Sequence, residues 1–478
     1  MSGFYDRLTE HAAYRPRHDA IVTDSQIISY EDLLHKVSTG HRYLVDCGIG
    51  PGAMVGLSIA DEVTHLLATL AIQATGAGQI VLATHDTLLQ RSCLAGRVGV
   101  THVISSSNSH RIPEIKYVTW PHLVTAATCL LQQRCELGAT VCLRTSGTTG
   151  DLNVVVFTEG QIAAQAEQHS DYSGERFLRF ASIEHNNSKR HRLYCLWRGG
   201  TNVFRPPGNF DIGAFVNRYG VTSLDISRLH AADLTAPECA RKLEKVKLTA
   251  SGSALPFDLR HNIQCMVTNN LYVRYAATEC GTVAVAHPNQ HDLDETAGAP
   301  LSGVDLQIVN ADDVVLPAGQ LGEIRVRTPG MATGYHDSPG DEERRFRLGW
   351  FYPGDMGSLR EDGQLIVHGR RDDMIILNGI NIFPAEIERI LESHPFVGAA
   401  AALPLASHVH GQIPVAAVEL RPGREIDVSS LQLFARQHLS LRAPRRIVVM
   451  SKLPRNSQGK ILKREIKAAF LPGSVERD

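Results

Sequence analysis

The chain has 478 residues, of which 43% are hydrophobic and 21% charged, and its formal net charge is −2. This composition is typical of a globular protein with two or three domains, and it argues against a surface devoted to nucleic acid. The most apolar stretch, residues 66–83, is interrupted by Thr69, Gln73 and Gly76, so no membrane span is predicted. The N-terminal segment lacks an apolar core and the nine cysteines are dispersed, so we expect a cytoplasmic protein with reduced thiols.

Helical and strand patterns alternate along the first 104 residues. Helices are predicted over 5–13, 31–45, 63–75 and 88–96, and strands over 20–23, 26–30, 54–59, 79–83 and 101–104. Such alternation indicates a parallel, doubly wound sheet. A second set of α/β units is predicted further along, with strands over 154–158, 177–182, 200–204, 223–226, 245–249, 266–268 and 272–275.

The pattern changes at Asp305. Short strands at 306–309, 322–327 and 363–368 predict a small antiparallel β subdomain over about 305–369. After the charged segment 370–373, residues 374–478 have the pattern of a small α+β domain. The predicted fold class is therefore α/β, with a large N-terminal domain (1–369) of two doubly wound sheets and a β subdomain, then a small C-terminal domain.

A loop rich in glycine and hydroxyl groups follows the apolar segment 140–143. Its residues are Thr145, Ser146, Gly147, Thr148, Thr149 and Gly150. The two glycines can adopt positive φ, so several backbone N–H groups can converge on one point and bind an anion, most often phosphate. The loop is not a Walker P-loop because no Gly-Lys-Ser/Thr closes it. A plain polar surface loop is the alternative.

Further motifs follow in the order in which one family has them. They are Ser251-Gly252-Ser253-Ala254-Leu255-Pro256, Tyr275-Ala276-Ala277-Thr278-Glu279, Gly322-Glu323-Ile324 through Gly334-Tyr335, Trp350-Phe351-Tyr352-Pro353-Gly354-Asp355, Gly369-Arg370-Arg371-Asp372-Asp373, Asn378-Gly379, Pro384-Ala385-Glu386-Ile387-Glu388 and the segment 453–462 with Lys460. Together with the hydroxyl-rich loop, they resemble the adenylate-forming superfamily: acyl- and aryl-CoA synthetases, adenylation domains of peptide synthetases, and luciferases. The motifs are collinear over nearly the whole chain, which argues against chance.

The resemblance implies an enzyme that activates a carboxylic acid with ATP and Mg²⁺. The loop 145–150 would bind the β- and γ-phosphates. The turn Gly252, Ser253 and Ala254 would border adenine, on which Tyr275 would stack beside Ala276. Since Mg²⁺ prefers oxygen ligands, Glu279 is suited to hold it, while Thr278 can donate to a phosphate oxygen.

The resemblance also assigns roles in the second half of the chain. Asp355 would accept from the ribose hydroxyls and Arg370 would donate to the same sugar. Lys460 would contact the substrate carboxylate and the α-phosphate during adenylation. Residues 370–373 would form a hinge about which the mobile C-terminal domain rotates at Asp372, and Asn378 with Gly379 would line the thiol tunnel.

The chain departs from the family pattern at several positions. Leu152-Asn153-Val154 stands where Pro-Lys-Gly is usual, so the lysine that accompanies the phosphates is missing. Ala276, Pro353 and Ser253 replace the usual Gly, Thr and Gly. We expect weaker ATP binding than in relatives with the lysine. A non-catalytic nucleotide-binding protein stays a distant alternative.

The segment 182–187 occupies the place of the acid pocket in the family. His185 and Asn186, with Ala276 and Ala277, are the predicted pocket residues, while Glu184 leaves an amino acid substrate open. The following residues 189–192 (Lys-Arg-His-Arg) are too polar for a long alkyl tunnel. They are expected to form a solvated helix face, or else to meet a polar substrate or the phosphates of the acceptor. An aromatic or small polar acid is favoured.

The thiol acceptor is expected to be coenzyme A. The phosphopantetheine of a carrier protein is the alternative, in which case the chain would be a stand-alone adenylation enzyme. Arg442, Arg445 and Arg446 could contact either the nucleotide of coenzyme A or an acidic carrier.

Overall fold

A computed structural model describes residues 3–106, 111–121, 138–145, 153–169, 172–208, 210–235, 242–291, 295–377, 380–407, 411–455 and 461–470. No helix within these ranges combines the length and apolarity that crossing a bilayer requires.

The described α-helices follow the sequence in this order. They are α1 (Phe4–Tyr14), α2 (Tyr30–Asp46), α3 (Glu62–Thr75), α4 (Leu88–Val98), α5 (Glu159–Glu167), α6 (Asn186–Trp197), α7 (Ile212–Tyr219), α8 (Arg228–Thr235), α9 (Phe257–Met266), α10 (Pro339–Arg345), α11 (Pro384–Glu392), α12 (Val428–Leu439) and α13 (Lys463–Ile466). Local sequence explains several of their ends: Ser29 and Asp61 cap α2 and α3 through their side chains, and Gly76 ends α3 in the left-handed conformation.

The described strands of the first two thirds are β1 (Asp19–Val22), β2 (Ile27–Ser29), β3 (Met54–Ser58), β4 (Gly78–Val81), β5 (His102–Ser105), β6 (Lys116–Thr119), β7 (Thr140–Thr145), β8 (Asn153–Thr158), β9 (Arg176–Arg179), β10 (Thr201–Val203), β11 (Ser223–Ile226), β12 (Lys247–Ser251), β13 (Leu271–Ala277), β14 (Gly281–Ala286) and β15 (Ala299–Pro300). Those of the last third are β16 (Asp305–Val309), β17 (Gly322–Arg327), β18 (Tyr335–His336), β19 (Phe346–Arg347), β20 (Trp350–Phe351), β21 (Asp355–Leu359), β22 (Leu365–Arg370), β23 (Ile375–Leu377), β24 (Ile380–Ile382), β25 (Val397–Ser407), β26 (Gly411–Leu420) and β27 (Arg446–Met450).

Two largely parallel sheets form the N-terminal part. The first has seven strands in the order β18-β8-β7-β4-β3-β5-β6, and the second has nine in the order β15-β14-β13-β12-β11-β9-β10-β1-β2. Each has antiparallel strands at its margins, including β7 with β8 and β13 with β14. Helices α1, α2, α3, α5 and α6 bury apolar side chains between the sheets, which joins them into one core.

The last two sheets are smaller. Strands β16, β17 and β19 to β22 form an antiparallel six-stranded sheet, and β23 to β27 form a five-stranded sheet on which α11 and α12 pack. The predicted fold class is confirmed. The domain boundaries at 369 and 373 stay predictions.

One predicted strand is wrong. Residues 266–268 do not form a strand, because Met266 completes α9 and Val267 caps it. Ile263 and Val267 are buried, so the apolar positions that suggest a strand belong to the end of an amphipathic helix.

Candidate active site

A cavity of about 800 Å³ lies between the nine-stranded sheet, the six-stranded sheet and α11. It brings together seven of the predicted nucleotide-binding residues: Gly252, Ser253, Ala254, Tyr275, Ala276, Asp355 and Arg370. The C-terminal part contributes Phe383, Glu386, Arg389 and Arg442, among others. Segments that are distant in the chain therefore enclose one space large enough for a nucleotide.

The topology explains why these residues meet. Ser251 and Ala277 end the adjacent parallel strands β12 and β13, so the turns that follow them lie at the same edge of the sheet. Gly252 has a φ of 94°, which a residue with a side chain rarely adopts. The register of β13 shifts between Tyr275 and Ala276, a β-bulge that changes the direction of the strand next to the cavity.

Asp355 and Arg370 are directly opposite each other on β21 and β22. Arg370 Nη1 lies 3.3 Å from Asp355 Oδ1 and also donates to the carbonyl of Pro353. The Tyr275 hydroxyl donates to Asp355 Oδ2 at 2.5 Å. Burial and the Asp355 carboxylate raise the pKa of Tyr275 well above its ordinary value, so its hydroxyl keeps its proton. Asp355 is thus held from two sides, and each oxygen retains a lone pair for a further donor.

The turn that carries Thr278 and Glu279 is fixed by three donors from two segments, α6 and the loop 328–332. Arg190 Nη1 donates to the Thr278 carbonyl at 2.8 Å, Ala332 N–H to the Glu279 carbonyl at 2.8 Å, and the Thr328 hydroxyl to the Cys280 carbonyl at 2.6 Å. These residues continue the chain from the cavity without lining it. Their backbone is therefore determined by tertiary contacts rather than by local sequence.

The Glu279 side chain is buried and one of its oxygens is already occupied. The Tyr335 hydroxyl donates to Oε1 at 2.7 Å, and burial together with Glu279 raises the pKa of Tyr335. Among the described residues, no group of three or more His, Cys, Asp or Glu side chains could hold a metal. A single carboxylate fits Mg²⁺, which commonly binds one or two carboxylates and completes its coordination with water and phosphate oxygens.

The phosphate-binding loop lies mostly outside the described residues: Ser146, Gly147, Thr148, Thr149 and Gly150 are not described, and Thr145 ends β7. Asn153, which stands where a lysine is usual, pairs with Thr145 at the base of the loop. Its amide donates to Asp341 Oδ2 at 2.8 Å and accepts from the Ser338 hydroxyl at 3.0 Å. Asn153 therefore ties the start of β8 to α10 and its N-cap residue Ser338.

His185 and Asn186 lie at the start of α6 and are not among the residues that line the cavity. The His185 ring is 5.7 Å from that of His85, and burial lowers the pKa of His185 to about 4. Asn186 donates to the Arg144 carbonyl. The Glu184 carboxylate accepts from both the N–H and the hydroxyl of Thr84, so its oxygens are engaged inside the protein.

The expectation of a solvated face over 189–192 is wrong. All four side chains are buried, and each points to a different neighbour. Lys189 donates to Gln79 Oε1 at 2.6 Å and Arg190 to the Thr278 carbonyl; His191 contacts Arg274 Nη1 at 2.9 Å, and Arg192 pairs with Glu62 at 2.9 Å. The helix packs into the core that joins the two sheets, so its residues 188–197 are all buried.

Asp372, the predicted hinge, accepts from Arg345 Nη2 at 3.2 Å. Asn378 and Gly379 of the predicted thiol tunnel, and Lys460, lie outside the described residues. Sequence reasoning missed three residues that support the site: Tyr335, Arg190 and Arg274. Tyr335 belongs to the motif Gly322–Tyr335 and Arg190 to the cationic run 189–192, but neither pattern indicates a contact with the turn 278–279. Arg274 belongs to no motif, and its partner Asp225 is distant in sequence.

The family models agree with this geometry. Residues 8–336 match the model described as AMP-binding enzyme, and residues 386–460 match its C-terminal domain. The chain belongs to the AMP-binding enzyme family. The resemblance found in the motifs is thereby confirmed.

Similar proteins include CoA ligases. The 2-succinylbenzoate–CoA ligase of Geobacillus kaustophilus is 37% identical over 200 residues, an alignment that spans 41% of this chain and 41% of that ligase. The enzyme of the same name from Bacillus cereus is 26% identical over 96% of this chain and 97% of its own length. The solved o-succinylbenzoate CoA synthetase from Bacillus subtilis, in complex with its acyl-adenylate intermediate, has a TM-score of 0.87 at 24% identity and covers 98% of both chains, which shows the shared fold.

Proposed function

We propose that this AMP-binding enzyme joins a carboxylic acid to the thiol of coenzyme A. ATP first adenylates the acid with release of pyrophosphate, and the thiol then displaces AMP to give a thioester. The observation that carries the proposal is that one cavity is lined by the turn 252–254, Tyr275, Asp355 and Arg370 together. The CoA ligases among the relatives support it.

Each proposed site residue has a role that follows from the chemistry of its side chain. Asp355 is positioned to accept the ribose hydroxyls, because Tyr275 and Arg370 hold its carboxylate in place. Glu279 and Thr278 would bind Mg²⁺ and a phosphate oxygen. The metal, when bound, would neutralise charge on the phosphates. Lys460 would stabilise the charge that develops at the α-phosphate while pyrophosphate leaves.

The acid is proposed to be aromatic or small and polar. The relatives named for 2-succinylbenzoate are consistent with that class. Coenzyme A is the proposed acceptor, and a carrier protein is the competing outcome. A cytoplasmic location is part of the proposal; the six described cysteines are free, as in a reducing compartment.

Acid-dependent ATP–pyrophosphate exchange tests the proposal. A panel of aryl, short dicarboxylic, fatty and amino acids should show exchange with the first two groups, followed by thioester formation with free coenzyme A. If no acid of the panel supports exchange, the proposal that this protein is an acid-activating enzyme is refuted. Thioester formation on a carrier protein alone would replace coenzyme A with that acceptor.

Lys460→Ala should abolish exchange but spare thioester formation from a supplied acyl-adenylate, since this lysine is assigned only to the first step. A matched control is Lys452→Ala, a nearby lysine outside the motif. An equal loss of both half-reactions in Lys460→Ala would contradict the assignment of Lys460 to adenylation alone.

A further inference from the structure

One arginine joins the turn that would border adenine to the segment 295–297. Arg260 of α9 is buried, and its Nε donates to the Leu255 carbonyl at the end of that turn, at 2.7 Å. Its two terminal nitrogens donate to the carbonyls of Glu295 at 3.0 Å and Thr296 at 2.8 Å. Two parts of the chain that are distant in sequence are therefore held side by side at the cavity.

The Glu295 side chain is fixed next to the same turn. Its Oε1 accepts from the Phe257 N–H at 3.0 Å, at the first residue of α9. Glu295 is half-buried and lines the cavity together with Gly252, Ser253 and Ala254. Among the described residues, nothing donates to its second oxygen, Oε2. The carboxylate therefore keeps an acceptor for a ligand in the cavity.

The backbone of Glu295 has a conformation that is unusual for glutamate. Its φ is 54°, in the left-handed region that residues with a side chain rarely adopt. Such a conformation persists where surrounding contacts impose it, and the hydrogen bonds from Arg260 and Phe257 do so here. The position of this carboxylate is therefore set by the protein rather than by solvent.

The cavity around this carboxylate suits a flat, aromatic ligand. The Thr296 hydroxyl and the Ala297 N–H both donate to the Leu365 carbonyl, which places β22 beside the segment that carries Glu295. Apolar side chains from these segments and from β13 line the cavity: Val273, Ala297, Ile366 and Val367. Apolar walls with one well-placed acceptor are typical of a site that binds an aromatic base and recognises one of its polar groups.

We infer that Glu295 accepts a hydrogen bond from the exocyclic 6-amino group of the nucleotide base and thereby selects adenine nucleotides. The inference rests on the proposed function, in which the turn 252–254 borders the base. Asp355 and Glu295 are the carboxylates that the described N-terminal part contributes to the cavity. Since Asp355 is assigned to the ribose, Glu295 is left for the base. A carboxylate accepts from an amino group but repels a carbonyl oxygen at the same ring position.

The binding of AMP and of purine riboside monophosphate tests the inference, because these nucleotides differ only in the 6-amino group. Isothermal titration calorimetry measures both dissociation constants without an acid substrate. We expect the native protein to bind AMP about 10-fold more tightly than the analogue, since the analogue lacks one hydrogen bond to a charged acceptor. A ratio of dissociation constants does not depend on the fraction of folded protein.

Variants separate recognition of the base from a structural role of Glu295. Glu295→Ala should bring the two dissociation constants to within about 2-fold of each other, through weaker binding of AMP alone. Glu295→Gln retains an acceptor oxygen and should keep part of the preference. Asp211→Ala is the matched control. Asp211 accepts the Ala214 N–H at 3.0 Å at the start of α7, much as Glu295 accepts at the start of α9, but it does not line the cavity, so the native preference should persist.

Two results would overturn the inference. One is a native protein that binds both monophosphates equally well; the other is a Glu295→Ala variant that keeps the native preference for AMP. In either case, acid-dependent ATP–pyrophosphate exchange leaves the proposed function standing. If the preference for AMP behaves as expected but no acid supports exchange, the role of Glu295 in nucleotide binding stands and the proposed enzymatic function is refuted. A native protein that binds neither nucleotide would refute both.

Discussion

The Tyr335 hydroxyl occupies Glu279 Oε1 at 2.7 Å. If Glu279 holds the metal as proposed, this contact leaves Oε2 for it and favours binding through a single oxygen. Tyr335 would then be a positioning residue that acts through the carboxylate. Hydrogen-bond partners of metal ligands commonly change metal affinity by 10- to 100-fold.

Tyr335→Phe should raise the Mg²⁺ concentration for half-maximal exchange by about 10-fold, because the carboxylate is then free to rotate. The stability should change by about 1 kcal/mol or less, as one hydrogen bond is lost. Titration of Mg²⁺ at saturating ATP measures the effect. Tyr43→Phe, which removes a hydroxyl that donates to the distant Thr119 carbonyl, is the control. An unchanged Mg²⁺ dependence would remove Glu279 or Tyr335 from the metal site.

The contacts of Asn153 change how the absence of a lysine at this position should be interpreted. The sequence predicts that restoring the lysine lowers the KM for ATP. In the structure, however, Asp341 Oδ2 lies 2.8 Å from the Asn153 amide and would pair with a new ammonium group at that place. The amide hydrogen bond and Arg344 also lower the pKa of Asp341, so it is charged at neutral pH.

Asn153→Lys alone should therefore lower the KM for ATP by less than the double variant Asn153→Lys with Asp341→Asn, for which we expect a decrease of about 5-fold. Steady-state kinetics with ATP as the varied substrate compares the two. Asp341→Asn alone serves as the control. If neither variant lowers the KM for ATP, the absence of a lysine at position 153 does not weaken ATP binding.

Among the helices, α6 is unusual because four of its consecutive residues, 189–192, are cationic or titratable and are all buried. Successive residues point about 100° apart, so the four reach different elements. Lys189 faces β4 and Cys142 of β7. Burial lowers the pKa of Lys189 to about 7, which makes this lysine a cost to folding when it is charged.

The pH dependence of stability follows from that value. Between about pH 7 and the ordinary pKa of lysine, the unfolded chain binds a proton that the folded chain does not, so the Lys189 contribution to stability rises with pH and is lost as the pH falls toward 7. Lys189→Met should be about 2 kcal/mol more stable than the native chain at pH 7, with a smaller gain at pH 9.5. Denaturant unfolding at both pH values measures this. A constant difference between the variants would contradict it.

The elements themselves were largely predictable, because strand and helix patterns alternate and glycine or proline marks many of the ends. Helix α10 and strand β6 were not predicted, since each is short and gains its stability from tertiary contacts. The buried α6 could not have been predicted either. Its polarity is typical of a solvated helix, and its partners Gln79, Glu62 and the Thr278 carbonyl lie more than 80 residues away. The nucleotide turn and the Asp355–Arg370 pair were identified from motifs alone, and the cavity brings them together, while their roles stay predictions.

At the scale of the whole molecule, a half-buried ion pair joins the N-terminal part to the C-terminal helix α11. Arg228 Nη2 of α8 lies 2.5 Å from Glu392 Oε2. Burial raises the pKa of Glu392, although Arg228 opposes that change. If the C-terminal domain rotates at Asp372, this contact and the Arg345–Asp372 pair must both break or move.

Glu392→Gln and Arg228→Gln should each speed tryptic cleavage after Arg370 or Arg371 by about 5-fold, since the interface is weakened and the hinge is more often accessible. The double variant should be no faster than either single variant, because both remove the same interaction. In the native chain, cleavage by an acid-tolerant protease should accelerate as the pH falls through the raised pKa of Glu392. Lys463→Gln, which breaks a pair with Glu388 inside the C-terminal part, should leave the rate unchanged.

The buried charges also bear on how substrates arrive. The described interior holds six arginines and one lysine (Arg179, Arg190, Arg192, Arg260, Arg274, Arg345 and Lys189) but only four acids (Glu159, Glu184, Asp225 and Glu279). Since the whole chain has a formal charge of −2, its outer surface is more acidic than that figure suggests. ATP, coenzyme A and carboxylic acids are all anions, so a net acidic surface would oppose their approach to the protein. Moderate salt should therefore speed their encounter with the protein by screening the surface, while weakening the bound state far less.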